Sequence, residues 1–445
     1  MMPQDPVLRI PWGLSERLRA LLHPAPFEER FAFAVARPLH TVSGAPQTAL
    51  VEQIIPLNPD DYDATSPGGL SLSAESSART NQWAVKAARS GWFAVHLHSH
   101  PHGVNSFSRT DDEAESKLSW WLAKQGVPQY WSVVWPVGGQ PRARLWRKGE
   151  SLPGRLFLGL APMVDSGSSE LSPALDRQRA FGTGLLHAAE QIRVGVVGLG
   201  GIGMLVVEQL ARAGFKHFVL VDPDTVETTN LNRLPGLTRR DLGRYKARLG
   251  KRLIHQAITS LNMKAHVSAF SRDIYLCNHA QNALKGCDLI LAVTDNELSR
   301  TVALQIALDH GREYLQAGTD IAIGDRGVIT GLRAEVTGAE TGRYCPLCTG
   351  RLSPGQASIE ARAYVGGEVA ARALSEGYVP DVAAPAVMSL NAVAAGMLVT
   401  EIQRRAAGIG VRDITQIDLQ SGNHHIQERV TIAADCHVCG GMANT

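Results

Sequence analysis

No apolar run in this chain approaches the roughly 20 residues needed to cross a bilayer. The opening residues, MMPQDPVLRIPWG, lack the basic start and apolar stretch of a secretory signal. Both absences lead to the expectation of a cytoplasmic protein. Charge of one sign is missing too. Lys and Arg total 44 against 42 Asp and Glu, so the net charge of +2 gives no pull toward nucleic acid or a membrane surface. Internal repeats and low-complexity tracts are absent, which excludes solenoids and disordered arrays. Cysteine is scarce. Four of the six fall in two pairs, Cys345 with Cys348 and Cys436 with Cys439, leaving Cys277 and Cys287. Without an export signal, paired CxxC units read as metal ligands rather than disulfides.

What is present suits a soluble globular chain of 445 residues, long enough for two or three domains. Residues 1–150 form one compositional unit. Strands are expected at 31–35, 92–98, 130–135 and 142–146, with a helix at 111–125. Residues 151–173 are rich in Gly, Ser and Pro and read as a linker. From 174 to 445 the pattern changes. A helix at 184–190 precedes a strand at 193–197, a glycine turn, a helix at 204–213 and a strand at 217–221. That alternation predicts a parallel sheet. Further strands are expected at 288–293 and 314–318, then a helix at 387–405 and strands at 413–418 and 424–431.

The first unit carries histidines at 96, 98 and 100, which alternation places on one face of a strand. His98, His100 and Asp111 supply three zinc ligands and leave a fourth position open for water. His96 and His102 read as packing or supporting residues. The spacing His98-x-His100, seven residues, Ser108-x-x-Asp111 resembles the motif of the JAB/MPN metalloproteases, an α/β fold related to cytidine deaminases. That resemblance implies a catalytic zinc. It implies Glu29 as the carboxylate that accepts and passes a proton, because Glu29 precedes the small residue Ala32 by three places. Glu28 would put Phe31 at that place. It also implies Ser108 as a donor to the tetrahedral intermediate.

The second unit carries Gly198, Gly200, Gly201 and Gly203 after an apolar strand, with Asp222 nineteen residues beyond Gly203. Glycines there let the backbone approach phosphate at a helix N-terminus. On that pattern alone NAD, FAD and ATP all remain open, with Asp222 on ribose hydroxyls. The run Asp222, Asp224, Asn230, Asn232, Arg233 then resembles the D-x-D…N-L-N-R-Q signature of the ThiF/MoeB/HesA family, the activating enzymes for ubiquitin-like proteins. Lys246 with Ala247, Asp295 and the upstream Arg177-Gln178…Phe181-Gly182 element match further family positions. The resemblance covers about residues 174–441. It implies a Rossmann-like adenylation domain using ATP and Mg2+, with Arg177, Arg233 and Lys246 on phosphates and Asp295 at the metal. It also implies a homodimer, in which Arg177 reaches the partner's ATP. Cys345, Cys348, Cys436 and Cys439 read as a closed structural zinc site.

Two departures from the family pattern stand out. Leu234 replaces the usual glutamine after Arg233. No cysteine occurs between Thr349 and Asp435, where activating enzymes that form their own thioester carry one. Cys287 reads as a packed thiol. The expectation is therefore adenylation of the C-terminal glycine of a ubiquitin-like protein ending in Gly-Gly, without a thioester on this chain. The adenylate would pass to a conjugating enzyme, a sulfur donor or an amine. Zinc-dependent cleavage at the same tail would mature precursors or undo conjugates. Fusions of this kind occur in bacterial conjugation operons, some tied to phage defence. Activation of a sulfur-carrier protein is the alternative, as is a first unit that serves only as a docking module.

Overall fold

The structure is a computed structural model. It describes residues 5–24, 28–39, 47–66, 69–101, 106–163, 172–324, 327–340, 344–364, 387–427, 430, 436, 438 and 439. His102, the stretch 164–171 and part of the expected strand 424–431 lie outside these. The chain divides into two compact units, residues 1–167 and 168–445.

The first unit contains β1 (Val7–Ile10), α1 (Trp12–Leu22), β2 (Phe31–Leu39), β3 (Thr48–Pro56), β4 (Tyr62–Ser66), β5 (Gly69–Leu72), α2 (Ala74–Arg89), β6 (Phe93–His100), α3 (Arg109–Lys124), β7 (Tyr130–Pro136), β8 (Arg142–Arg147), β9 (Glu150–Leu158) and β10 (Ala161–Met163). The main sheet runs β1-β3-β2-β6-β7-β8-β9-β10, and β9 returns to pair with β1. One face packs Leu8, Val51, Val95, Leu97, Trp131 and Val133 into a core completed by α1. β6 is central, antiparallel to β2 and parallel to β7.

The expected linker is corrected here. Residues 150–163 form β9 and β10 in this sheet. Glycine and proline mark packing at this point rather than a break. A side chain at Gly154 would come within 2.4 Å of the Trp131 ring, so glycine lets the tryptophan lie flat on β9.

The second unit contains α4 (Thr183–Gln191), β11 (Arg193–Val197), α5 (Gly201–Arg212), β12 (His217–Val221), α6 (Lys246–Ser260), β13 (His266–Phe270), α7 (Asn278–Lys285), β14 (Leu289–Ala292), α8 (Glu297–Asp309), β15 (Glu313–Ile323), β16 (Ile329–Ala339), α9 (Pro354–Ala363), α10 (Met388–Ala406), β17 (Ile414–Asp418) and β18 (His424–Gln427). Strand order is β13-β12-β11-β14-β15-β16-β17-β18. The first five strands are parallel and the last three antiparallel additions. Chain order reverses between β11 and β14, the place where open α/β sheets bind ligands at their strand ends. No helix among the described residues is long and apolar enough to cross a membrane.

At the opposite ends of β12 and β13, His217 and His266 are register partners whose rings stack at 4.9 Å. Burial, then the charge of His266, holds His217 down to about 4. The unfolded chain takes up this proton near pH 6.5, so the contribution is complete above 6.5 and is lost as pH falls toward 4. His217 is only partly buried, so about 1–2 kcal/mol of acid destabilisation is expected from it. His217→Phe should remove that loss in denaturant unfolding at pH 7 and pH 4. An unchanged pH dependence would contradict the assignment.

Candidate active sites

β6 builds the first site by alternation. Val95 and Leu97 enter the core while His96, His98 and His100 face the other way. His96 is taken up by packing, as expected: its ring lies 5.3, 5.6 and 5.1 Å from those of Phe31, Phe33 and Tyr130. Complete burial holds it down to about 4, so it is neutral at pH 7.

His98 and His100 reach Asp111 in the first turn of α3. His98 Nε2 is 3.3 Å from Asp111 Oδ1 and His100 Nε2 is 3.2 Å from Oδ2. The two imidazole nitrogens are 3.1 Å apart. Zinc with arms of ~2.0–2.1 Å in tetrahedral geometry would space its ligand atoms ~3.3–3.4 Å apart. The donor set, two imidazoles and a carboxylate, therefore fits zinc in identity and in spacing. Burial alone would raise the Asp111 carboxyl, but hydrogen bonds from His100 and His98 hold it well below the usual range.

A reciprocal cap fixes Asp111. Its Oδ2 accepts the Ser108 N–H at 2.6 Å, and Ser108 Oγ accepts the Asp111 N–H at 3.2 Å. The Ser108 hydroxyl hydrogen is left able to donate elsewhere.

Glu29 lies two residues before β2 rather than inside the strand, and is only 9% exposed. Burial raises its carboxyl, while His100 and His98 pull it down and Asp111 pushes it up. A raised carboxyl near three groups that could hold a metal suits proton transfer. Glu28 instead pairs with Arg30 at 2.5 Å and is substantially exposed. Ser99 and Tyr62 hold the backbone after Glu29: Ser99 Oγ accepts the Arg30 N–H at 2.8 Å, and the Tyr62 hydroxyl accepts the Phe31 N–H at 3.0 Å. Neither residue was expected from the motif.

The second site is built on the turn between β11 and α5. Gly198 has φ +95°, and a Cβ there would lie 2.8 Å from the Thr294 nitrogen. A Cβ at Gly203 would lie 2.1 Å from the Gly198 oxygen. These two glycines let the loop fold against β14 and onto itself. Beyond Gly200 the space is open. α5 begins at Gly201, so its first N–H groups and the positive end of its dipole meet that space.

Arg233 comes to this turn at Gly201, Asp224 is joined to it through Asp222 and carries Lys246 as its partner, and Asp295 follows Thr294, which packs on Gly198. Lys246 is the first residue of α6, where a cation opposes the helix dipole. Its ammonium pairs with Asp224 at 2.8 Å. Arg233 Nη1 donates to the Thr229 carbonyl at 2.6 Å, and its Cδ would be 3.7 Å from a Cβ at Gly201. Asp295 is exposed at the end of β14, next to Thr294.

Asp222 has backbone partners that its spacing did not show. Its Oδ2 accepts the Leu199 N–H at 2.5 Å and its Oδ1 the Asp224 N–H at 2.9 Å. Burial raises it to about 6, opposed by Lys246. Its carboxylate thus tethers the glycine turn to β12, and Asp224 is the more exposed acid. Asn230 is buried, its Oδ1 accepting the Glu227 N–H at 3.1 Å, whereas Asn232 is exposed. Leu234 is buried as an apolar core residue. Arg177 is exposed, and no hydrogen bond or ion pair joins it to the glycine turn among the described residues. Asn391 and Arg300 were not expected. A Cβ at Gly201 would lie 2.2 Å from Asn391 Nδ2, and Asn391 Oδ1 accepts from the Thr319 hydroxyl at 3.3 Å. Arg300 Nε donates to the Thr294 carbonyl at 2.7 Å.

The four paired cysteines converge. Cys345 Sγ lies 3.7, 3.7 and 3.6 Å from Cys348, Cys436 and Cys439, and Cys348 lies 3.0 Å from Cys439. Zinc–sulfur arms of ~2.3 Å imply ~3.8 Å between sulfurs, so the set fits zinc. The cluster packs on the core beside Tyr314, Ala339 and Leu352. Cys345→Ser should lower the thermal midpoint by roughly 10 °C through loss of several kcal/mol of metal-linked stability, read by calorimetry alongside zinc content. An unchanged midpoint would contradict a structural metal. Cys287 is fully buried, its thiol pushed up to about 12 by burial. It is the packed thiol expected.

Comparison with known proteins decides the family. The model of the ThiF family fits residues 175–439, well over half the chain. The chain belongs to the ThiF family. It is 25% identical over 179 residues to the SUMO-activating enzyme subunit 2 of Dictyostelium discoideum, covering 40% of this chain and 26% of that protein. It is 30% identical over 158 residues to the adenylyltransferase and sulfurtransferase UBA4 of Eremothecium gossypii, covering 33% of this chain and 34% of that protein. The chain thus spans well under half the length of these relatives. A solved structure of E. coli MccB with ATP aligns over 60% of this chain and 74% of its own, at 19% identity and TM-score 0.44. The ThiF match does not extend over residues 1–174.

Proposed function

We propose that the ThiF unit adenylates the C-terminal glycine of a ubiquitin-like protein, and that the first unit is a JAB/MPN-type metalloprotease acting at the same tail. The observations that support this reading are His98, His100 and Asp111 at zinc spacing, and a glycine turn beside which lie Arg233 and Thr294, the neighbour of Asp295, with Lys246 paired to Asp224.

In adenylation a carboxylate oxygen attacks the α-phosphorus of ATP, the bond to the β-phosphate oxygen breaks, and pyrophosphate leaves. Charge builds on phosphate oxygens throughout. Lys246 and Arg233 would spread it, the α5 N-terminus would receive it, and Asp295 would hold Mg2+. Arg177 would serve a partner copy's site in a homodimer. With no cysteine between Thr349 and Asp435, the adenylate would pass directly to an external acceptor.

In the first unit, His98, His100 and Asp111 would hold zinc, which supplies Lewis acidity when bound. Glu29 would accept a proton from the attacking water and pass it to the leaving amine. Ser108 would donate to the developing oxyanion. Trimming residues beyond the diglycine, or cleaving conjugates, both use this chemistry. The alternative is activation of a sulfur-carrier protein, in which the adenylate passes to a sulfur donor; similarity to the adenylyltransferase and sulfurtransferase UBA4 supports it.

The test is ATP–pyrophosphate exchange with a panel of ubiquitin-fold proteins ending in Gly-Gly, each paired with a version lacking the last glycine. Exchange that requires the terminal glycine supports the reading. Exchange that ignores it, or a thiol-sensitive covalent adduct on this chain, contradicts it.

A further inference from the structure

We propose that Arg144 is a positioning residue for the first site, holding the helix turn that carries Asp111. This rests on the zinc reading of His98, His100 and Asp111.

Arg144 lies on β8 and is 8% exposed, an unusual place for a guanidinium. It is fully engaged. Its Nε and Nη2 donate to Glu115 Oε2 at 2.9 and 2.7 Å, and Nη1 donates to Asp112 at 2.5 Å. Both acids sit on α3. Glu115 is one helical turn after Asp111, on the same face, and Asp112 is its neighbour. Glu115 is fixed from two further strand residues, accepting from the Ser132 hydroxyl at 2.6 Å and the Trp146 indole at 2.6 Å. The start of α3 is therefore pinned to β7 and β8.

The planar face of Arg144 does a second job. It stacks on Phe107 at 3.7 Å from the ring centroid, with Trp146 at 4.8 Å. Phe107 directly precedes the Ser108 cap, and its ring meets that of His98 edge-on at 6.1 Å. One guanidinium thus fixes the helix that carries one ligand and the aromatic wall beside another. A lysine could supply the charge but neither the fork nor the flat face.

The experiment strips the full-length chain of metal and titrates it with Co2+. Thiolate charge-transfer bands report the cysteine site, and d–d bands of a nitrogen and oxygen site report the first unit. Chelator competition gives each Kd. Arg144→Met should weaken the first-unit site 10–100-fold, in the range found when groups orienting metal ligands are removed, and leave the cysteine site unchanged. Arg144→Lys should not restore it. Phe107→Leu, which leaves every ion pair in place, should weaken the site about 10-fold with the thermal midpoint of the metal-free chain unchanged. That variant decides the matter if Arg144→Met does not fold. Wild-type affinity in Phe107→Leu, or rescue by lysine, would overturn the positioning role. A wild-type chain with only the cysteine site loaded would overturn the zinc reading itself, and the proposal with it.

Discussion

Replacing Lys246 by alanine is expected to lower tail-dependent ATP–pyrophosphate exchange by about 10²–10³, the ~3–4 kcal/mol typical of a single preorganised charge-stabilising group. The fold should not suffer. Lys246 occupies the first turn of α6, where its charge opposes the helix dipole, and alanine is the better helix former. Its ammonium pairs with Asp224, an exposed acid. A functional cation held at an unfavourable position should therefore show a large loss of rate with a steady or slightly raised thermal midpoint. Exchange within threefold of wild type would mean that Lys246 does not meet the phosphates. A matching fall in midpoint would mean that its role is structural.

The second large effect is expected at the first site. His98→Ala with His100→Ala should reduce the zinc content from two per chain to one and take tail cleavage to background. The two imidazole nitrogens and the Asp111 carboxylate lie 3.1–3.3 Å from one another, and removing both histidines leaves Asp111 alone, too few for a zinc site. Adenylation of a substrate already ending in Gly-Gly should continue. One zinc in both proteins would leave only the cysteine centre loaded and make the first unit a docking module.

Much of both sites was legible because their chemistry is local in sequence. β11 and β12 match their expected bounds, residues 193–197 and 217–221, because each is an apolar run ended by turn residues. His98, His100, Ser108 and Asp111 lie within fourteen residues of one another. The glycine turn declares itself by strand before and helix after. What was not legible depends on pairing across the sheet. Residues 151–173 look like a linker by composition, yet β1 and β8 recruit the first part of that stretch as β9, on which β10 then pairs. Asn391 touches Gly201 from 190 positions away and carries no local signal. Arg144 and Glu115 meet only because β8 runs beside α3. The spacing of Asp222 could not reveal that its two oxygens accept from the Leu199 and Asp224 N–H groups.

The proposal that one chain both trims and activates the same tail is tested most directly by exchange on a precursor. A ubiquitin-fold protein carrying a short extension beyond Gly-Gly would be given to the wild type and to the His98→Ala/His100→Ala protein, with the mature form as control. The account predicts exchange from the mature form in both proteins, and from the extended form in the wild type alone. Exchange from the extended form in both, or in neither while the mature form reacts, would contradict it.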